Sequence, residues 1–205
     1  MMPTLPFIYL IIALTLNDLL TFNKKPAGVK HYVLGLIVFV CSIFAISYFI
    51  TAFVEPDTRI AAKAFAKNNI PPDSSVLSEI YDLGITPFNS SFGQIELFNF
   101  YDLDANIDLS FELDTKLTNS EYIILPSQRI LKIRLMDKKK FPRGYEFYIS
   151  LISGKLGYKR IYASECSIFC RITYLDNPVF RYEQTASVFE RPTVMIFQKI
   201  RLFAN

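Results

Sequence analysis

The sequence predicts a membrane protein: two N-terminal transmembrane α-helices followed by a small extracytoplasmic α/β domain. Three observations predict it. Tyr32–Val54, YVLGLIVFVCSIFAISYFITAFV, runs for 23 residues without a charge. At about 1.5 Å rise per residue it covers roughly 35 Å as a helix, enough for a hydrocarbon core of about 30 Å. A second apolar stretch, residues 5–22, precedes it. After Val54 short apolar runs alternate with helical patterns, the mark of a layered α/β domain.

The chain therefore divides into a transmembrane region at 1–54, with spans at 5–22 and 32–54 and a link at 23–31, and an outer domain at 55–205. Most of the net charge of +3 lies before Glu55, where Lys24, Lys25 and Lys30 face only Asp18. The near-neutral remainder argues against a nucleic-acid partner.

Residues 5–22 carry Asn17 and Asp18 one turn from their end. Asp18 reads as an interfacial group or as a functional intramembrane carboxylate; a carboxylate near the interface costs less than one at mid-bilayer. No basic stretch precedes Leu5 and no small-residue site follows, so a cleaved signal peptide fits poorly. The link NKKPAGVKH is basic, which places it in the cytoplasm and the domain after Val54 outside. Glu55 and Asp57 agree with that orientation. His31, the only histidine, stands at the membrane edge as an interfacial residue or a pH-responsive one.

In the outer domain, residues 57–69 read as a helix from Ile60, Ala61, Ala64 and Phe65, with Asp57 or Thr58 as N-cap and Pro71-Pro72 as the stop. Ser75–Glu79 reads as a strand and residues 82–93 as a loop. Residues 94–101 and 121–125 read as strands, the second closed by Pro126. A helical piece reaches Met136. Residues 142–153 form a helix stopped by Gly154 and Gly157. Residues 159–165, 168–174 and 193–199 read as strands. The expected result is a sheet with a parallel portion and an antiparallel finish.

Cys166 and Cys170 have no histidine nearby, so a zinc site is not expected. On an extended strand their Cα atoms would stand roughly 13 Å apart, so a bridge needs a turn between them. The alternative is two small core residues.

No nucleophile elbow, phosphate loop, dinucleotide fingerprint or HExxH motif is present. Carboxylates do cluster after strands: Glu79 and Asp82 after one, Asp102 and Asp104 after another. Strand carboxyl ends are where α/β sheets bind ligands. Such groups hold a metal, act as acid and base, or cap helices and solvate turns. Charge is also uneven. Residues 94–121 are acidic, whereas 129–160 are basic. Lys138, Lys139, Lys140 and Arg143 are either the counterpart of the acidic face or contacts to anionic lipid head groups.

The stretch EPDTRIAAKAFAKNNIPPDSSVLSE resembles the segment after the last membrane helix of bacterial family 39-type glycosyltransferases, polytopic GT-C relatives of the protein mannosyltransferases. The matching residues are Thr58-Arg59, Asn69-Ile70-Pro71 and Glu79, with Phe65 where the family has Trp. EYIILPSQRIL is similar to the family's strand and Ser-x-Arg, here Ser127 and Arg129. FPRGYEFYISLISGKLGYKRI is similar to its next helix and glycine stop. SVFERPTVMIFQK is similar to its closing strand, with Glu190-Arg191-Pro192 where Asp-His-Pro often stands.

The resemblance covers about residues 56–199 in separated blocks. It implies sugar transfer from a polyprenyl-phosphate donor on the outer membrane face. It also implies that this chain is the C-terminal portion of such an enzyme, inactive alone, with a multi-span membrane partner. No catalytic residue of the family has a counterpart here, and no cofactor is implied in this chain; a divalent metal would belong to the complete enzyme. Candidate ligand or phosphate contacts are Glu79, Asp82, Ser127 and Arg129. The alternative is a non-enzymatic anchored outer domain that binds a protein or an envelope polymer.

Overall fold

The computed structural model describes residues 14, 17–18, 27–80, 88, 91–173 and 191–200. Two compact units result, divided after Phe49. In the first, α1 (Ala27–Phe49) carries most of the apolar run. One helical run among the described residues, Tyr32–Val54, is long and apolar enough to cross a membrane. The expected span at 5–22 lies almost wholly outside the described residues; Leu14, Asn17 and Asp18 are helical. The basic link is shorter than expected, because the helix already begins at Ala27. Within the run, the Ser42 hydroxyl donates to the Val38 carbonyl at 2.8 Å, so its polar group is satisfied inside the helix.

The second unit opens with a π-helical turn, Ile50–Val54, closed by the Glu55 N–H on the Ile50 carbonyl at 2.9 Å. Its helices and strands follow in order: α2 (Thr58–Asn69), β1 (Ser75–Glu79), β2 (Gln94–Phe98), α3 (Asp108–Asn119), β3 (Tyr122–Leu125), α4 (Arg129–Met136), α5 (Pro142–Ile152), β4 (Tyr158–Ala163), α6 (Ile168–Thr173) and β5 (Met195–Lys199). The strands form one mixed sheet in the order β2-β1-β3-β5-β4. β1 pairs in parallel with β2 and β3, while β5 runs antiparallel to both β3 and β4.

Period-two alternation sorts the central strands between two apolar cores. Ile123, Leu125, Leu77 and Phe197 face the side covered by α3, α4 and α5. Tyr122, Ile124, Val76 and Ile196 face the side covered by α2, through Ala62 and Ala66. A strand buried on both faces needs apolar residues at every position, which is why YIIL reads as an unbroken run. Asp57 caps α2, accepting from the Arg59 N–H at 2.8 Å. The Arg59 guanidinium, 2.6 Å from the same carboxylate, holds Asp57 below its usual pKa. Gly154 and Gly157 stop α5 with φ of 80° and 76°, conformations that L side chains rarely adopt.

Two expectations need correction. Of the strand expected at 168–174, the described residues Ile168–Thr173 are helical instead, and the turn of α6 brings the Cys166 and Cys170 Cα atoms to 5.3 Å, where they form a disulfide. The two cysteines are therefore bridged rather than separate core residues. The acidic stretch after Asp104 also contains α3, which the strand-and-loop reading missed. Its signal is Leu109, Leu113 and Leu117 at four-residue spacing, all packed on the core.

The carboxyl end of α3 is held by the sheet. Lys199 Nζ donates to the Leu117 and Thr118 carbonyls at 3.1 and 2.7 Å, a cation at the negative end of a helix. The Tyr158 hydroxyl lies 2.8 Å from both the Leu117 and Ser120 carbonyls. Burial pushes its pKa up to about 12, and the Tyr148 phenol is raised well above the ordinary 10.0. Both phenols are thus kept neutral in the folded chain. Their stabilisation is complete below pH about 10 and is lost as pH rises further, for Tyr158 on approaching about 12, because the unfolded chain ionises first. Urea unfolding midpoints should be flat up to pH 9.5 and fall above pH 10. Replacing Tyr158 with Phe should remove part of that fall.

Candidate functional site at the strand ends

From the central β1 the sheet extends to β2 on one side and to β3 on the other, so the carboxyl ends of β1 and β3 flank a topological switch point. Crevices at such points are where open α/β sheets bind ligands. The register places Ser78 beside Ile124, so Glu79 and Leu125 end the two strands side by side. Beyond them stand Ser127, Gln128 and Arg129 at the start of α4.

Glu79 is fully buried, on the face shared with Leu77. From α5 the buried Tyr148 donates its hydroxyl to Glu79 Oε1 at 2.7 Å. The phenol's raised pKa comes first from burial and then from the Glu79 carboxylate. A phenol held neutral beside a carboxylate is a hydrogen-bond donor at every physiological pH. Ser127 is buried and weakly caps α4, its Oγ accepting from the Arg129 N–H at 3.4 Å. Gln128 is fully buried and ties α4 to the start of β5, its Oε1 accepting from the Thr193 N–H at 2.7 Å.

Arg129 is half-buried, with its guanidinium 5.8 Å from the centre of the Tyr101 ring. Arg134, one and a half turns along α4, approaches the same ring at 5.9 Å and donates to the Tyr101 carbonyl at 2.7 Å. The loop after β2 thus packs between two arginines of α4. Sequence reasoning named Glu79, Ser127 and Arg129, and the sheet brings them to one edge. Asp82 lies outside the described residues. Tyr148, Arg134 and Tyr101 were not singled out; only a contact across 69 residues joins Tyr148 to Glu79.

The other carboxylates have structural roles. Asp104 Oδ1 accepts from the Arg143 and Gly144 N–H groups at 2.8 and 3.3 Å, capping α5 from a distant loop. Its Oδ2 lies 3.5 Å from Arg134 Nε in a pair that is almost entirely buried. Gly144 makes room for this pair, since a Cβ there would stand 2.6 Å from Arg134 Cδ. Asp102 is exposed and accepts from Asn99 Nδ2 at 2.6 Å within its own turn. No group of three or more metal-ligating side chains is found among the described residues.

Lys138, Lys139 and Lys140 are exposed in the turn between α4 and α5. Lys138 and Lys140 lie 5.1 Å from the Tyr145 and Phe141 ring centres. Arg143 turns away from them and donates to the Leu103 carbonyl at 3.3 Å.

The residues around the π-helical turn Ile50–Val54 are tied to the segment that leads into β5. Glu55, one residue after Val54, pairs with Arg191 at 2.6 Å, and Arg191 Nη1 donates to the Thr51 carbonyl at 3.1 Å. Thr58 donates to the Pro192 carbonyl at 2.6 Å. A cleft of about 440 Å³ opens here on the α2 side, lined by Pro56, Thr58, Tyr162, Ser164, Glu165 and Arg191. Glu79 and Tyr148 do not line it, because they face the opposite side of the sheet. No family model, curated protein or solved structure matches this chain.

Proposed function

We propose that this chain is the membrane-anchored C-terminal portion of a GT-C glycosyltransferase, handling a polyprenyl-phosphate sugar donor on the outer face and inactive without a multi-span partner. Two spans, 5–22 and Tyr32–Val54, anchor it, with residues 23–31 in the cytoplasm. One observation carries the reading: Glu79, Tyr148, Ser127 and Arg129 stand at the carboxyl ends of β1 and β3, in a unit that the chain enters directly from a run long and apolar enough to cross a membrane. A ligand with a lipid tail and a charged head group needs those two features together. Arg129 supplies a fork-shaped donor for phosphate oxygens. The Cys166–Cys170 bridge supports the outer orientation, since disulfides persist in oxidising compartments.

A second reading is a non-enzymatic anchored domain that binds a protein or an envelope polymer. The engagement of Asp102 and Asp104 in turns and caps favours it, because those carboxylates are occupied structurally.

Two measurements test the proposal. Native mass spectrometry of the full chain in detergent should show retained undecaprenyl phosphate. Arg129→Ala should weaken that binding about tenfold or more, the usual cost of a lost charge-assisted hydrogen bond. No binding by the parent chain rejects the lipid-donor role and leaves the second reading. Topology is tested with Lys139→Cys in a Cys41→Ser background. An impermeant maleimide should label it in intact cells; labelling only after lysis overturns orientation and donor together.

A further inference from the structure

We propose that α6 is an interfacial foot: the exposed apolar face of this disulfide-closed helix lies in the head-group layer of the bilayer that Tyr32–Val54 spans. The proposal rests on the membrane reading of that run. At about 100° per residue, Ile168, Ile172 and Phe169 fall on one side of the helix and Cys170 on the other. Exposure follows the same division: Ile168 is 74% exposed and Phe169 40%, whereas Cys170 is buried. An Ile-Phe pair left in water forgoes about 25 cal/mol for each Å² it could bury.

The face continues an apolar surface that is already present. α6 packs against the π-helical turn Ile50–Val54, the last turn of the apolar run. In that turn Phe53 is 71% exposed and Val54 63%. Immediately beyond them the chain turns polar at Glu55, where the Arg191 ion pair forms. The exposed apolar side chains of the turn Ile50–Val54 thus continue onto α6 beside the first polar residue, Glu55, and that continuity points to lipid as the occupant. Arg171 is exposed on the flank of the face, with its Nε donating to the Cys166 carbonyl at 3.3 Å. A cation so placed suits lipid phosphates.

Two links hold the foot beside the run. The disulfide closes the turn between Cys166 and Cys170. The Ser167 hydroxyl donates to the Glu55 carboxylate and accepts from the Cys170 N–H at 3.1 Å. α6 is therefore fixed to the first polar residue after the span.

The chain has no Trp, so a single introduced Trp reports its own surroundings. Full-length Ile168→Trp is reconstituted into phosphatidylcholine vesicles with lipids brominated near the head-group end of the chain, with lipids brominated near its methyl end, which reach the Phe44→Trp reference at the middle of the run, or with no bromine. Phe44→Trp in the run and Phe111→Trp on α3 serve as membrane and water references. The Ile168→Trp emission should be blue-shifted and roughly halved by the shallow bromines, as for a side chain about 5–10 Å deep. Phe169→Trp should behave alike, so that the result does not depend on one variant folding, and Phe111→Trp should not be quenched. Red-shifted emission open to iodide at both α6 positions, with Phe44→Trp quenched, overturns the foot and leaves the span. Blue-shifted but unquenched emission means protein covers the face, which also overturns it. An unquenched Phe44→Trp removes the span itself, and the foot with it.

Discussion

Replacing Asp104 with alanine should destabilise the α/β unit by about 3–5 kcal/mol, the usual cost of removing one partner from a buried ion pair. Arg134 is only 3% exposed, so its charge would be left buried without its carboxylate. Two further losses accompany that. The Arg143 and Gly144 N–H groups at the start of α5 lose their acceptor, and the residue at the N-cap position, Phe141, provides no side-chain replacement. Lost caps typically cost about 1 kcal/mol. Asp104→Asn retains an acceptor for the helix and should cost less. Combining Arg134→Met with Asp104→Ala should recover part of the loss, because the stranded charge disappears with its partner. Urea unfolding of the full chain in detergent, followed by circular dichroism, measures all three. A loss below about 1 kcal/mol for Asp104→Ala would show that water reaches Arg134, contrary to its burial.

Tyr148→Phe should cost about 1.5–3 kcal/mol, the range for a hydrogen bond to a charged group. The ring is retained, so its packing against Phe100 and Phe147 at 5.8 and 5.0 Å is kept. What is lost is the hydroxyl at 2.7 Å from a fully buried carboxylate. Tyr148→Ala also opens a cavity in the core and should cost at least another 3 kcal/mol or so. Glu79→Gln preserves shape and accepts the same hydrogen bond. It should therefore fold nearly as well as the parent chain, and any loss of lipid binding in it reports on the charge. Equal unfolding midpoints for Tyr148→Phe and the parent would mean that this hydrogen bond contributes nothing net. An equally large loss in Glu79→Gln would assign the carboxylate a structural role alone.

The first of these clusters bears on Arg129. Asp104 and Arg134 hold the loop that carries Tyr101, and the Tyr101 ring packs between Arg129 and Arg134. Arg129 is thus placed by groups that come from the loop after β2 and from α4. Its position depends on long-range packing, so lipid binding should be sensitive to Asp104 substitutions that leave Arg129 itself unchanged.

The sequence by itself determined the elements whose causes are local. Twenty-three uncharged residues specify a long apolar helix wherever they stand, because the property is one of the segment alone. Asp57 before a helical pattern, the prolines after it and the paired glycines after α5 all act within a few residues, and each boundary stands where expected. YIIL required a strand buried on both sides, and the mixed sheet has one there. Glu79, Ser127 and Arg129 could be named because residues at strand ends are identifiable from strand boundaries alone.

Tertiary structure decided the rest. Whether residues 168–174 became a strand or a helix was not set by their β-branched and aromatic composition. The disulfide and the packing of α6 on the turn after α1 favoured helix, and intrinsic β preference is weak enough to be overridden. For Asp104 the sequence left open a ligand, an acid–base group or a helix cap; it is a helix cap and an ion-pair partner because α5 returns past it about 40 residues later. Tyr148 gained its role only when α5 packed over the end of β1. A carboxylate's chemistry depends on the charges and donors that face it. Those come from other elements, so only the packing of the chain could assign it.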